Sequence, residues 1–86
     1  MNNVDFVVIG SSGGGGTIGW LLAMAGFSVV MLELGSDSEK YHFHLGAELA
    51  RFPVEQVFLL GEETRPVVEG ALSAGAPAGK FVFSNQ

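Results

Sequence analysis

The sequence contains no cysteine, so neither a disulfide nor a thiolate-bound metal stabilises the chain. Basic residues are scarce as well: four Lys and Arg stand against nine Asp and Glu, for a net charge of −5. A nucleic-acid-binding domain needs a basic surface, so this balance argues against such a partner. Only 15% of the 86 residues are charged and 48% are hydrophobic. This composition excludes a disordered tail and allows one small domain.

No charged residue occurs from Phe6 to Leu32, a run long enough for a transmembrane helix. Within this run, residues 11–16 are two serines and four glycines, and each glycine costs a helix about 1 kcal/mol. No Lys or Arg precedes Lys40, so the basic start of a signal peptide is missing. We therefore expect a soluble chain, cytoplasmic rather than secreted. A non-catalytic membrane-associated or interaction peptide is the alternative class.

The first 35 residues have the pattern of a βαβ unit. The run at 5–9, apolar after Asp5, does not alternate, which is typical of a strand buried on both faces of a parallel sheet. A helical stripe follows and stops at Gly26, and a second apolar run at 28–32 is closed by Glu33. The stripe consists of Ile18, Leu21, Leu22 and Ala25. We predict an α/β fold with a Rossmann-like βαβ dinucleotide-binding unit in residues 1–35, an incomplete part of a larger domain.

The predicted helix is apolar on every face, because no charged residue occurs from Thr17 to Phe27. A helix that is apolar all round is normally buried all round. A chain of this length has little material with which to cover both sides. We therefore expect either a missing remainder of the protein or a partner chain to cover this helix.

Residues 36–86 give weaker signals, and we predict a poorly defined continuation that is not an independent domain. No further βα pattern is clear. The signals are a polar loop at 36–40, a short helix at 48–52, a strand or helix at 57–60, a segment at 61–75 interrupted by Pro66, a turn at 75–79 and a last strand at 80–83.

The chemistry is concentrated in the glycine-rich loop and in one carboxylate. In a dinucleotide-binding unit, the first glycine turns off the strand, the second admits the pyrophosphate and the third lets the helix approach the sheet. The string Gly10-x-Ser12-x-x-Gly15 occupies these positions, and Glu33 ends the second strand, where a carboxylate accepts hydrogen bonds from ribose hydroxyls. The predicted cofactor-binding residues are Gly10, Ser11, Ser12, Gly13, Gly14, Gly15 and Glu33.

Other interpretations of these residues stay open. The string Gly14-x-Gly16-x-x-Gly19 matches the glycine pattern letter for letter, but it makes the turn from strand to helix too long. Glu33 is alternatively a solvated charge at a strand end.

The two histidines, His42 and His44, would place both rings on one face of a strand. A metal site needs further ligands, and none lies nearby, so we predict no metal site.

The segments 5–15 and 25–35 resemble the amino-terminal FAD-binding segment of the glucose–methanol–choline oxidoreductases. Those flavoenzymes oxidise alcohols, sugars or sterols. The step of 23 residues from Gly10 to Glu33 is similar to theirs, as is a Leu-Glu-x-Gly ending. The resemblance implies FAD as the cofactor, with Gly10 and Gly15 in the pyrophosphate loop and Glu33 on the adenosine ribose. An NAD-binding fragment is the alternative.

The chain departs from the family in two respects. Ser12 stands where the family has its second glycine, and the family continues for several hundred residues beyond this length. Its catalytic histidine lies near the carboxyl end, in a substrate domain, and neither His42 nor His44 matches that position. We therefore assign no catalytic residue and expect no activity from this chain alone. The remainder of the enzyme would hold the alcohol, sugar or sterol substrate.

Overall fold

The computed structural model describes residues 4–10, 14–34, 39–77 and 79–84. The described part is an α/β structure with a four-stranded, fully parallel sheet in the order β2-β1-β3-β4. The elements are β1 (Phe6–Gly10), α1 (Gly14–Met24), β2 (Val29–Glu33), α2 (Glu39–Arg51), β3 (Gln56–Leu60), a 3₁₀ turn (Glu62–Thr64), α3 (Arg65–Ser73) and β4 (Phe81–Ser84). The α/β class expected from the sequence is confirmed.

Strand β1 lies in the interior of the sheet, between β2 and β3. Its residues Val7, Val8 and Ile9 are all buried, although successive side chains of a strand point to opposite faces. Both faces of β1 are therefore covered, as the lack of alternation in the sequence predicted. β2 is also a strand, but it is the edge of the sheet, and four of its five residues are exposed.

The main core lies between the sheet and the pair α2 and α3. Alternate residues of β1 and β3 face this layer, where they pack with Leu49 of α2 and Val67 of α3. The buried cluster consists of Val7, Ile9, Leu49, Val57, Leu59 and Val67. Each such side chain contributes about 1.5–3 kcal/mol when it is fully removed from water.

Helices α2 and α3 approach each other so closely that their backbones are in contact. A Cβ atom on Gly46 would overlap the carbonyl oxygen of Val67, and one on Gly70 would overlap the carbonyl oxygen of Phe43. These two glycines therefore set the distance between the helices. The carboxyl end of α2 is held by Lys80, whose Nζ donates hydrogen bonds to the carbonyl oxygens of Ala50 at 3.1 Å and Phe52 at 2.7 Å.

Helix α1 covers the opposite face of the sheet. Its buried Gly19 faces Met31 of β2, which is the register partner of Val8. The helix ends before Gly26, as predicted, and Gly26 adopts a φ of 97° there. The outer side of α1 is exposed and apolar. None of the helices in the described part of the chain is long and apolar enough to span a membrane.

The second half of the chain contains the βα repeat that the sequence analysis did not recognise. α2 begins at Glu39, inside the predicted polar loop, and the predicted helix at 48–52 is only its last part. Pro66 does not interrupt a helix, because it lies in the first turn of α3, where its missing N–H has no helical partner to lose. β3 is a strand and β4 confirms the last predicted strand.

Candidate functional site

The carboxyl ends of all four strands meet at one edge of the sheet, and this edge carries Gly10 and Glu33. Gly10, the last residue of β1, is the register partner of Glu33, the last residue of β2. On its other side, Gly10 pairs with Leu60 at the end of β3. Adjacent strands lie about 4.7–4.9 Å apart. The fold therefore brings Gly10 and Glu33 side by side, although 23 positions separate them in the sequence.

The connection from β1 to α1 is short. Of the predicted loop residues, Ser11, Ser12 and Gly13 lie outside the described residues, whereas Gly14 and Gly15 belong to α1. The amino terminus of an 11-residue helix thus lies close to the end of the central strand. A helix amino terminus carries free N–H groups and the positive end of the helix dipole, and it therefore favours an anion.

The bounds of α1 distinguish between the two glycine strings of the sequence analysis. In the string that starts at Gly14, the first two glycines are already helical, so neither makes the turn off β1. The string that starts at Gly10 places its first glycine at the strand end and its third, Gly15, in the first turn of α1.

Gly19 allows α1 to approach the sheet closely. A Cβ atom at this position would lie 2.5 Å from Sδ of Met31. The dinucleotide pattern assigns this packing to its third glycine, whereas in this structure it is observed one helical turn further along. The favoured string, which starts at Gly10, does not include Gly19. The string that starts at Gly14 ends at Gly19 and was therefore the sequence signal for this close contact.

Glu33 is exposed, and within the described residues no hydrogen bond or ion pair engages its carboxylate. Its alternation along β2 with Met31 places it on the α1 side of the sheet. An exposed carboxylate at the end of β2 is available to a ligand hydroxyl, and it is also compatible with a merely solvated strand end.

A second turn at the same edge was missed by the sequence analysis. Gly61 follows β3 with a φ of 105°, a conformation that favours glycine. Its carbonyl oxygen accepts a hydrogen bond of 2.7 Å from the hydroxyl of the buried Thr64. On the outside of the turn, a side-chain hydrogen bond from Arg65 holds the pKa of the Glu62 carboxyl below its usual value. The apolar run ending in Gly61 was the available signal for this turn.

The prediction that His42 and His44 share one strand face is wrong, because both residues lie in α2. Residues two apart on a helix point in nearly opposite directions. Accordingly, His42 is buried and His44 is exposed. No group of three potential metal ligands occurs in the part of the chain that the structure describes.

An open pocket of about 760 Å³ lies at the opposite edge of the sheet, where the strands begin. Its lining includes Asp5, Glu55 and Lys80. Asp5 already accepts a hydrogen bond from the N–H of Ser28, and Lys80 holds the end of α2. Asp5 and Lys80 thus have partners within the fold, and the pocket lies at the edge of the sheet opposite to Gly10 and Glu33.

The strand order limits how much of a dinucleotide the described fold accommodates. Open parallel sheets bind ligands at the carboxyl edge, where successive connections run in opposite directions. Here that point lies at β1, with β2 on one side and β3 on the other. The usual dinucleotide-binding order has its third strand outside β2, followed by a second mononucleotide-binding half. The four described strands depart from that order, because β3 lies beside β1 rather than outside β2.

Comparison of the chain with protein-family models, curated proteins and solved structures finds no match. The resemblance to the glucose–methanol–choline oxidoreductases therefore rests on the residues quoted above.

Proposed function

We propose that this chain binds the ADP portion of FAD at the carboxyl edge of β1 and β2, as a segment of a flavin-dependent oxidoreductase acting on CH–OH substrates. The observation that carries the proposal is the register pairing of Gly10 with Glu33. A strand-end glycine that leads into a helix and a carboxylate on the neighbouring strand are the two groups that such a site requires.

Each part of the site has a separate task. Gly10 is buried and has no side chain, so the chain can turn directly from β1 toward α1. The amino end of α1 would face the pyrophosphate, together with residues 11–15 of the predicted loop. The Glu33 carboxylate would accept hydrogen bonds from the hydroxyls of the adenosine ribose.

The flavin end of the cofactor would extend beyond the described fold, because the four described strands do not include the second half of the usual dinucleotide-binding sheet. FAD supplies the hydride-accepting chemistry when it is bound. The remainder of the enzyme or another chain would therefore hold the isoalloxazine ring and the alcohol, sugar or sterol. The same observation keeps NAD as a second candidate, since NAD shares the ADP portion with FAD.

Isothermal titration of the folded chain with ADP, FAD, NAD and NADP tests this assignment. We expect ADP, FAD and NAD to bind with similar affinity, because the shared ADP portion makes the contacts. NADP should bind at least about fivefold more weakly, since its 2′-phosphate would lie within roughly 4 Å of a carboxylate, a repulsion of about 1–4 kcal/mol. A folded chain that binds none of these ligands would overturn the proposal.

Activity assays should distinguish a cofactor-binding segment from a complete enzyme. With FAD and a panel of alcohols, sugars and sterols added, we expect no oxidation above that of free flavin. Turnover that disappears on His42→Ala or His44→Ala would contradict the assignment of catalysis to the remainder of the enzyme.

A further inference from the structure

His42 is a buried polar residue without a hydrogen-bond partner in the described part of the chain. Its exposed fraction is 9%, and within the described residues no hydrogen bond or ion pair engages its ring. Thr64, which is also polar and buried, donates a hydrogen bond of 2.7 Å to the carbonyl oxygen of Gly61. The large majority of buried polar side chains in folded proteins are hydrogen-bonded, so the imidazole of His42 calls for an explanation.

The direction of α2 places His42 near the carboxyl edge of the sheet. The last turn of α2 is held by Lys80, which directly precedes β4, so this end of the helix lies where the strands begin. The amino end of α2 therefore lies at the opposite edge, where Gly10 and Glu33 end their strands. His42 is the fourth residue of the helix, within about one turn of that amino end.

The side chain of His42 is directed toward the layer between α2 and the sheet. His42 and Leu49 are seven positions apart, close to two full turns, so their side chains leave the helix in nearly the same direction. Leu49 packs with Ile9 of β1 and Leu59 of β3 in the buried cluster. At 1.5 Å per residue, His42 lies roughly 10 Å closer than Leu49 to the carboxyl edge.

The ring nitrogens of His42 reach solvent although most of the side chain is covered. In the described part of the chain, no side-chain nitrogen or oxygen is both fully enclosed and without a hydrogen-bond partner. Because the ring nitrogens have no such partner there, they are not fully enclosed. Leu49 fills the layer on one side of the ring, and α3 contacts the backbone of α2 at Gly46 on another. His42 therefore combines a largely covered ring with nitrogen atoms that a ligand can reach.

We propose that the open side of His42 faces the carboxyl edge and that a ring N–H donates a hydrogen bond to the pyrophosphate of the bound nucleotide. This inference rests on the nucleotide site proposed above and adds to it a contact from the α2 side of the sheet. Glu33 would hold the ribose at the end of β2, and the connection through α2 leads from β2 past β1 to β3. The ligand group at the end of β1 is the pyrophosphate, whose charged oxygens accept stronger hydrogen bonds than neutral acceptors do.

Removal of the ring nitrogens tests this contact. His42→Phe keeps an aromatic ring without nitrogen, and His44→Phe, in the same helix but exposed, is the matched control. In NMR titrations, which also detect weak binding, His42→Phe should bind ADP about tenfold more weakly than the wild type does and adenosine equally well. His44→Phe should bind both like the wild type, and Glu33→Gln should weaken both, since its contact is with the ribose. Unchanged ADP affinity in His42→Phe, or an equal loss for ADP and adenosine, would overturn the proposal.

The wild-type chain allows a second measurement that needs no substitution. His42 and His44 are its only histidines, so isotope labelling gives two sets of ring signals. ADP and inorganic pyrophosphate should each shift the ring signals of His42 and leave those of His44 in place. Binding of ADP with unchanged His42 signals would overturn this contact and leave the nucleotide site intact. A response of His42 to pyrophosphate without binding of ADP would support the contact and refute the nucleotide assignment, whereas no response to either ligand would refute both.

Discussion

At the scale of single residues, Glu33 and Gly70 differ in the property that each is expected to control, ligand binding for Glu33 and helix packing for Gly70. Glu33 is an exposed carboxylate, and we expect its effect on folding to be small because solvent screens its charge. Gly70 has no side chain, yet its position determines how α2 and α3 pack. Substitution of Glu33 is therefore expected to change binding, whereas substitution of Gly70 is expected to change stability.

Glu33→Gln should weaken nucleotide binding without unfolding the chain. Hydrogen bonds to a charged group are worth roughly 1.5–3 kcal/mol, against about 1 for a neutral one. We expect ADP to bind about fivefold more weakly or worse, a loss of about 1 kcal/mol, as measured by titration calorimetry. Glu55→Gln is the control, because Glu55 is exposed near the start of β3 at the other edge of the sheet. Equal affinity of both variants and the wild type would leave Glu33 as a solvated strand-end charge.

Gly70→Ala should destabilise the fold. The added Cβ would overlap the carbonyl oxygen of Phe43, so the two helices would have to separate. Overpacking of this kind costs about 1–3 kcal/mol, and each kcal/mol lowers Tm by roughly 4–8 °C in a domain of this size. Ser73→Ala, an exposed change in the same helix, should leave Tm nearly unchanged in thermal unfolding followed by circular dichroism. A Tm for Gly70→Ala equal to that of the wild type would refute the close approach.

Single residues also show where sequence reasoning succeeds and fails. Val7, Val8 and Ile9 identified β1 as a strand buried on both faces, because a short apolar run without alternation is typical of a central strand in a parallel sheet. Gly46 and Gly70 gave no signal, since their role depends on a neighbour more than 20 positions away. Glu33 was predicted as a site residue from its position at a strand end, whereas its pairing with Gly10 is visible only in the three-dimensional register.

At the scale of elements, α2 is the helix that the sequence analysis largely missed. It contains two histidines, a glycine and aromatic residues, all of which are weaker helix formers than alanine or leucine. Its amphipathic packing against α3 and the sheet compensates for this low propensity. The missed helix led directly to the wrong placement of His42 and His44 on a strand.

Lys80 fixes the end of this helix, and Lys80→Met should loosen it. Its ammonium group donates to two carbonyl oxygens at the carboxyl terminus of α2, where a positive charge also interacts favourably with the helix dipole. We expect a loss of about 1–2 kcal/mol in the free energy of unfolding, as measured by urea denaturation. Lys40→Met removes the same charge from the first turn of α2, where it opposes the dipole, and should not destabilise the chain. An equal loss in the two variants would contradict a capping role.

At the scale of the whole molecule, the sheet joins distant parts of the chain, because β1 pairs with β2 on one side and with β3 on the other. The interior position of β1 determines the order in which the sheet can be completed during translation. Of the four described strands, β1 is synthesised first, but its neighbour β3 begins only at Gln56. A ribosome adds about 5–20 residues per second, so one edge of β1 remains unpaired for seconds after the strand emerges. During that interval, the exposed β1 edge and the uncharged segment 6–32 are available to chaperones and to other nascent chains. Expression yield should therefore depend on chaperone supply more strongly than the stability of the finished fold would suggest.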